Sequence, residues 1–395
     1  MNPYKGLRDI PRNIWLVSAA SLINRTGMMV LPFLAIYLTQ ELKVSAAEAG
    51  LVLTFYGIGA LISAPFAGKL SDKIGSMKLM KISLLLSGVC LFIYSFTTNY
   101  HLIIIISIIL AIISEAFRPA SMAFIADEAP KEQRKQSFSL YRLAINLGMS
   151  FGPVLGGVLT SIDFSLLFYV DGITSILAAI YLIFAKWEPL HIHKKSAEDK
   201  IDKEALPPYR DHRLVYLLIA LSPVIIVFFQ HFSTMPLFIV DYLGFSRITF
   251  GFLVSINTIL IIFIEVPLNV AMQKVPEWKS LSLGGLLCGI GFGGMAIASD
   301  ISGIIVTIII WTFGEMLFFP SVSALAGEIS PENKRGEYMG YLQMMHSFCF
   351  IGAPLMGTYV YQYYGPQVLW ISTFFLGLIT TVMMLRIKRW ETISQ

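Results

Sequence analysis

The sequence predicts an all-α membrane protein: about twelve transmembrane helices in two pseudo-symmetric six-helix bundles. Three observations carry that reading. Apolar runs of about 20 residues recur along the chain, the length an α-helix needs to cross hydrocarbon. Lysine and arginine fall mainly into alternate loops, and the chain repeats itself at a fixed offset of 201 residues, Phe117–Arg134 matching Phe318–Arg335. The composition agrees: 56% of residues are hydrophobic and 14% charged, with a mean hydropathy of +0.71, where a soluble domain carries about a quarter charged residues. Backbone amides in lipid must bond within their own segment, so the runs are helices. The alternating patterns of about ten residues that mark a transmembrane β-barrel are missing.

Hydropathy and turn punctuation place the first six spans near 13–38, 48–68, 79–98, 102–126, 136–160 and 164–186. The second six fall near 213–240, 248–272, 279–299, 302–327, 338–362 and 367–387. The expected domains are therefore an N-terminal bundle at 1–186, a linker at 187–212 and a C-terminal bundle at 213–395. The linker is the one long polar stretch, with mixed charges and a Pro-Pro pair. The first apolar stretch is long and lacks a small-residue cleavage pattern, so it reads as a span rather than a signal peptide. Cys90, Cys288 and Cys349 sit in apolar stretches without metal-ligand spacing and read as small buried hydrophobes.

Orientation follows from charge. With the N-terminus cytoplasmic, both tails, the linker and the loops on that side, together with the span ends that adjoin them, hold 24 of the 29 lysines and arginines. The outer loops hold only Lys43 and Arg247, and Arg25, Arg118 and Arg142 lie within spans. Both termini are expected in the cytoplasm. The net charge of +4 then expresses topology and calls for no nucleic acid.

In the repeat, Pro119 meets Pro320, Asp127 meets Glu328 and Arg134 meets Arg335; further on, Pro153 meets Pro354 and Gly156 meets Gly357. The matches fall on proline, glycine and charge rather than on common apolar residues. Because six is even, equivalent spans run the same way, the parallel repeat of transporters with a substrate site near mid-membrane.

Two motifs carry a family resemblance. GKLSDKIGSMK, Gly68 to Lys78, resembles the cytoplasmic loop between the second and third spans of the major facilitator superfamily. Gly75 permits a tight turn and Asp72 offers a carboxylate to a helix N-terminus or a basic neighbour. The resemblance implies a gating latch made by Gly68, Asp72, Lys73, Gly75 and Lys78, with Asp127 and Arg134 in the surrounding charge network; Ser76 stands where a basic residue is usual. The second motif, RLAINLGMSFGPVLGG in span 5, resembles the pattern typical of proton-coupled exporters, with Gly148, Gly152, Pro153, Gly156 and Gly157 matching and Ser139 replacing a glycine. Small residues four apart make a smooth packing face, and that structural role competes with any direct part in transport. The implied branch is the twelve-span drug:proton antiporters.

Ionisable residues inside spans are costly and usually functional. Glu115, Glu315 and Glu265 are the proton-coupling candidates; Arg25, Arg118, Gln230 and His231 are the substrate-cavity candidates, because spans 1, 4, 7 and 10 line the cavity in the superfamily. Glu115 and Arg118, three apart, are expected on one helix face, either as a static ion pair or as a proton site. Asp171 has no assigned role.

No nucleotide-binding motif and no nucleophile–base arrangement is visible, so the chain reads as a gradient-driven transporter rather than an enzyme. No cofactor or metal is implied. The expected activity is export of small organic molecules across the cytoplasmic membrane by proton antiport, with a small-molecule substrate, protons and the bilayer as partners, and function as a monomer. The alternatives are proton-coupled import of an anionic nutrient and export of an anionic metabolite such as a metal chelator.

Overall fold

A computed structural model describes residues 10–130, 133–189, 208–272, 274–331 and 335–387. Among these every element is helical, and each of the twelve expected spans coincides with a helical segment; ten of the helical stretches are long and apolar enough to cross a membrane. Span 1 is α1 (Arg12–Gly27) followed by α2 (Val30–Gln40); spans 2 and 3 are α3 (Ala46–Ile74) and α4 (Ser76–Ser95). Span 4 is α5 (Tyr100–Ser114) followed by α6 (Phe117–Glu128), and spans 5 and 6 are α7 (Arg134–Ile162) and α8 (Ser165–Phe184). Span 7 runs through α9 (His212–Phe228), α10 (Gln230–Pro236) and a π-helical turn, Leu237–Tyr242. Spans 8 to 12 are α11 (Arg247–Met272), α12 (Glu277–Gly294), α13 (Ile301–Ile329), α14 (Arg335–Tyr364) and α15 (Pro366–Arg386). Most of the linker lies outside the described residues.

The interruptions have a chemical cause. Proline removes the amide that would bond the carbonyl four residues back. Pro32 frees Met28 and Pro119 frees Glu115, and the helices break at Met28–Met29 and at Glu115–Ala116. Both breaks put unpaired backbone groups in the membrane interior, where they need polar neighbours.

By contacts the chain forms two compact units that interleave in sequence. Unit 1 is Met1–Lys43, Phe55–Lys195 and Phe245–Thr258; unit 2 is Val44–Thr54, Ser196–Gly244 and Ile259–Gln395. Unit 1 has a core of Ile14, Val17, Leu84, Phe117, Leu140 and Leu182. Unit 2 has one of Leu217, Leu221, Leu281, Phe318, Tyr338 and Met384. Leu86, Ile93, Ile105, Phe151, Ile371 and Phe375 are exposed. In water each would forfeit about 1.5–3 kcal/mol of burial; against lipid tails they cost nothing, so these faces belong to the bilayer.

Candidate functional site

The two breaks of unit 1 meet at a polar cavity in its interior. α1 brings Asn24 and Arg25, α3 brings Tyr56, α4 brings Ser83 and Ser87, the end of α5 brings Glu115, and α8 brings Asp171 and Ser175. The cavity offers about 60 Å³ to the centre of a water-sized sphere, room for roughly four waters at ~15 Å³ each. Glu115 sits in the helix break, where its carboxylate accepts the Tyr56 hydroxyl at 3.3 Å; Tyr56 also shares a hydrogen bond with Ser114. Asp171 is 6% exposed and accepts the backbone N–H of Val30 at 3.3 Å, supplying the acceptor that the first amide of α2 needs. Asn24 donates to Ser175 at 3.1 Å. Arg25 contacts the Met28 sulfur, while its Nε and the Ser87 hydroxyl are buried without a hydrogen-bond partner.

Of the residues singled out in the sequence, this cavity joins Arg25 with Glu115 and leaves Arg118 out. The expected Glu115–Arg118 pair is corrected: the two form no ion pair, and the Arg118 side chain is exposed. Residues three apart share a face only on a continuous helix, and Pro119 interrupts this one between them. Sequence reasoning missed Tyr56 and left Asp171 without a role; a lone carboxylate in an apolar span was the available signal.

The other candidates lie in unit 2. Gln230 is 2% exposed; its amide donates to the carbonyls of Ile226 and Ala353 and accepts the hydroxyls of Ser233 and Thr234. Every polar atom of the amide is engaged at the break in span 7. His231 bonds the Phe228 carbonyl at 2.6 Å and packs against Phe232 and Trp311, with ring centroids 3.7 and 6.1 Å away. Glu315 is half-buried on α13, one turn past Trp311, and Glu265 is 7% exposed on α11.

At the loop motif, Gly75 has φ +89°, the left-handed geometry that glycine tolerates, and Lys73 and Lys78 are exposed. The placements of the Gly68, Asp72 and Arg134 side chains lie outside the described residues. Asp127 is exposed. Its neighbour Glu128 is buried and accepts Asn13 at 2.6 Å, and Asn13 also bonds the backbone of Glu188 in both directions. In unit 2, Asp211 caps α9, pairs with Arg213 at 3.0 Å and accepts the Tyr338 hydroxyl at 2.7 Å. Burial pushes the Asp211 carboxyl up, but the bonds from Arg213 and Tyr338 together outweigh it and hold the group below its ordinary range.

The span 5 glycines form two packing rows. A methyl on Gly148 would lie 2.6 Å from Arg25 Cβ, one on Gly152 would lie 3.0 Å from the Met28 carbonyl, and one on Gly156 would lie 2.8 Å from the Phe33 ring. The row therefore holds α7 against the break in span 1, beside Arg25. On the second row a methyl on Gly157 would lie 2.6 Å from the Arg247 carbonyl, and Pro153 abuts Gly251. Arg247 itself stacks on Phe164 at 4.0 Å and bonds Gln40 and the Thr160 carbonyl.

A family model described as Major Facilitator Superfamily matches residues 14–348 and 238–392. The Na(+), Li(+), K(+)/H(+) antiporter of Planococcus maritimus is 24% identical, with 84% of this chain and 85% of the relative covered. The quinolone resistance protein NorA of Staphylococcus aureus is 29% identical over 44% of each chain. A crystal structure of the peptide transporter POT in complex with sulfate superposes with a TM-score of 0.78 at 14% identity, over 96% of this chain and 94% of that one, a likeness of fold.

Proposed function

The chain belongs to the Major Facilitator Superfamily, a multi-pass membrane transport protein rather than an enzyme, and from that premise we propose that it exports small organic molecules by proton antiport. The observation that carries the proposal is the cavity that brings Arg25, Glu115 and Asp171 together. Counted as ionised side chains, it holds one positive and two negative groups, so it lacks one positive charge. Unbalanced charge is expensive inside a membrane, and a single proton restores balance.

Size and charge separate this reading from its rivals. Room for about four waters suits a coupling site and is too small for a drug-sized ligand, whose pockets run to about 300–1,000 Å³. An anionic substrate, import or export, would add a third negative group beside Arg25, which counts against the carboxylate readings. Export is supported by the span 5 motif and by two relatives, one named for quinolone resistance and one for cation/proton antiport. Glu115 is assigned the proton, Arg25 the charge that holds it in place, and Glu315 and Glu265 of unit 2 stand as further proton-coupling candidates. Arg118, Gln230 and His231 remain substrate-cavity candidates. Lys73, Gly75, Lys78 and Asp127, with Gly68, Asp72 and Arg134, belong to the gating loop, and both termini are placed in the cytoplasm.

The test is reconstitution in proteoliposomes holding a pH-sensitive dye, with ethidium, lactate and a dipeptide offered in turn. Proton movement opposite to ethidium, lost in Glu115→Gln, is the expected result. Co-directional movement would convert the reading to symport, and undiminished proton-coupled efflux by Glu115→Gln would remove that residue from the mechanism.

A further inference from the structure

Asp171 connects the cavity to the backbone. Its carboxylate holds the N–H of Val30, the first residue of α2, and the break it closes is the one that follows Arg25 in span 1. The contact surface around it is tight: a methyl on Gly27 would run into the Thr174 side chain of α8, so α1 and α8 touch closely just where the chain breaks. The cavity beside it contains a second, independent sign of an occupant. Ser87 is 4% exposed, lines the space, and has a hydroxyl without a partner, as does Arg25 Nε. Buried polar atoms of this kind are ordinarily satisfied by water, and a chain of water is what would carry a proton between two carboxylates.

The ionisable groups facing this space are Arg25 from α1, Tyr56 from α3, Tyr94 from α4, Glu115 from the end of α5 and Asp171 from α8; α7 contributes none. Tyr94 is bound to Ser107 and Tyr56 to Glu115. The one proton that balances the cavity therefore has two acceptors, Glu115 and Asp171. Opposed forces act on a carboxylate placed as Asp171 is. An apolar interior favours the neutral acid, while a backbone donor, a helix N-terminus and a neighbouring guanidinium favour the anion.

We propose that Asp171 is a second proton-binding residue of this cavity and the one that links protonation to movement of span 1. This rests on the proton-coupled reading above. A proton delivered by hydronium converts the carboxylate to the acid and leaves water behind; its loss to water on the other side reverses the step. Ionised, Asp171 holds the first turn of α2 with a charge-assisted bond. Protonated, it retains only a neutral acceptor, roughly half as strong, and the break between α1 and α2 is freed to bend.

Two measurements on the purified full-length protein in lipid test this without a known substrate. Infrared difference spectra between alkaline and acidic buffer should show a carboxylic-acid C=O band that disappears in Asp171→Asn. Hydrogen exchange, corrected for its intrinsic pH dependence, should show the first turn of α2 losing about tenfold in protection on acidification, and Asp171→Asn should abolish that pH response. Asp171→Glu guards against a folding defect: it should keep a titrating band and weaken the exchange response. An Asp171→Asn spectrum identical to wild type, or α2 protection independent of pH in the wild type, overturns the proposal while leaving proton antiport through Glu115 intact. Transport without any proton movement would remove both.

Discussion

The interiors of the two units differ where the repeat says they correspond. The break in span 1 at Met28–Met29 has its counterpart, 201 residues on, at Phe229–Gln230 in span 7. In unit 1 the gap is met by Asp171 and opens onto a cavity lined by charged side chains. In unit 2 it is plugged by Gln230, whose amide is fully bonded, and the surroundings are aromatic: Trp311 packs against Phe292 at 5.0 Å and against His231. Span 4 and span 10 diverge likewise. Pro119 and Pro320 are repeat partners, yet the first breaks its helix and the second lies inside a continuous α13. The repeat also sets Glu115 opposite Met316 and Glu315 opposite Ser114, so the two carboxylates are not equivalents but stand one residue, about 100°, apart around the helix. Duplication supplied one scaffold, and the cavity that gathers Arg25, Glu115 and Asp171 lies in unit 1.

The largest effect expected from that contrast is at Arg25. Arg25→Leu leaves two carboxylates without their cation, and breaking a buried charge set by removing one partner costs about 3–5 kcal/mol. Thermal unfolding of the purified protein in detergent should register a loss of that order, with transport abolished. Arg25→Leu/Glu115→Gln, which restores a smaller imbalance, should recover part of the stability. A single mutant as stable as wild type would mean that the cavity charges are solvated rather than coupled, and the contrast between the units would lose its electrostatic basis.

The plug in unit 2 should respond differently. Gln230→Leu removes the donor to the Ala353 carbonyl and leaves Ser233 and Thr234 only their longer bonds to the carbonyls of Phe229 and residue 230, at about 1–3 kcal/mol, and should lower thermal stability without altering the pH dependence of transport. The corresponding change in unit 1, Asp171→Asn, should alter that dependence. A shift in the pH profile caused by Gln230→Leu would show that both breaks take part in coupling.

Packing rows come next in size. Gly148→Ala sets a methyl 2.6 Å from Arg25 Cβ, which forces a backbone adjustment worth about 1–3 kcal/mol. Gly340→Ala on α14, with open space around its missing Cβ, serves as the control and should be neutral or slightly stabilising, since alanine is the better helix former. Equal losses at both sites, measured by thermal unfolding, would argue that α7 does not rest on span 1 through this row.

The fold was legible because its signals are local. Apolar runs, proline and glycine punctuation and loop charge each act within a span or a turn, and the twelve spans follow from them. The site was only half legible. Arg25 and Glu115 stood out as charges in apolar helices, but their meeting with Tyr56 and Asp171 depends on four helices converging, which no periodicity encodes. The Glu115–Arg118 expectation failed at a proline that was visible but whose consequence was not: its repeat partner Pro320 is absorbed in α13. At the end of span 4, Asp127 attracted notice through its repeat partner Glu328, and both are exposed. The buried residue is Glu128, one position along, because helical phase rather than repeat position decides which carboxylate turns inward.

The smallest effect separates the two units at their helix ends. Asn13 joins α1 to Glu128, while Asp211 joins the start of α9 to Arg213 and Tyr338. The unit 2 cluster has the depressed carboxyl, which gives the sign of its pH dependence. A group whose carboxyl lies lower in the folded than in the unfolded state stabilises fully above the unfolded value, near 3.9 for aspartate. It loses that contribution as pH falls through the folded value. Asp211→Asn should therefore cost about 0.5–1 kcal/mol near neutral pH, since Arg213 is half-exposed and screened. The difference from wild type should shrink as the buffer is acidified toward the carboxylate range. A deficit that stayed constant with pH would assign the cost to the lost helix cap and the Tyr338 bond rather than to charge.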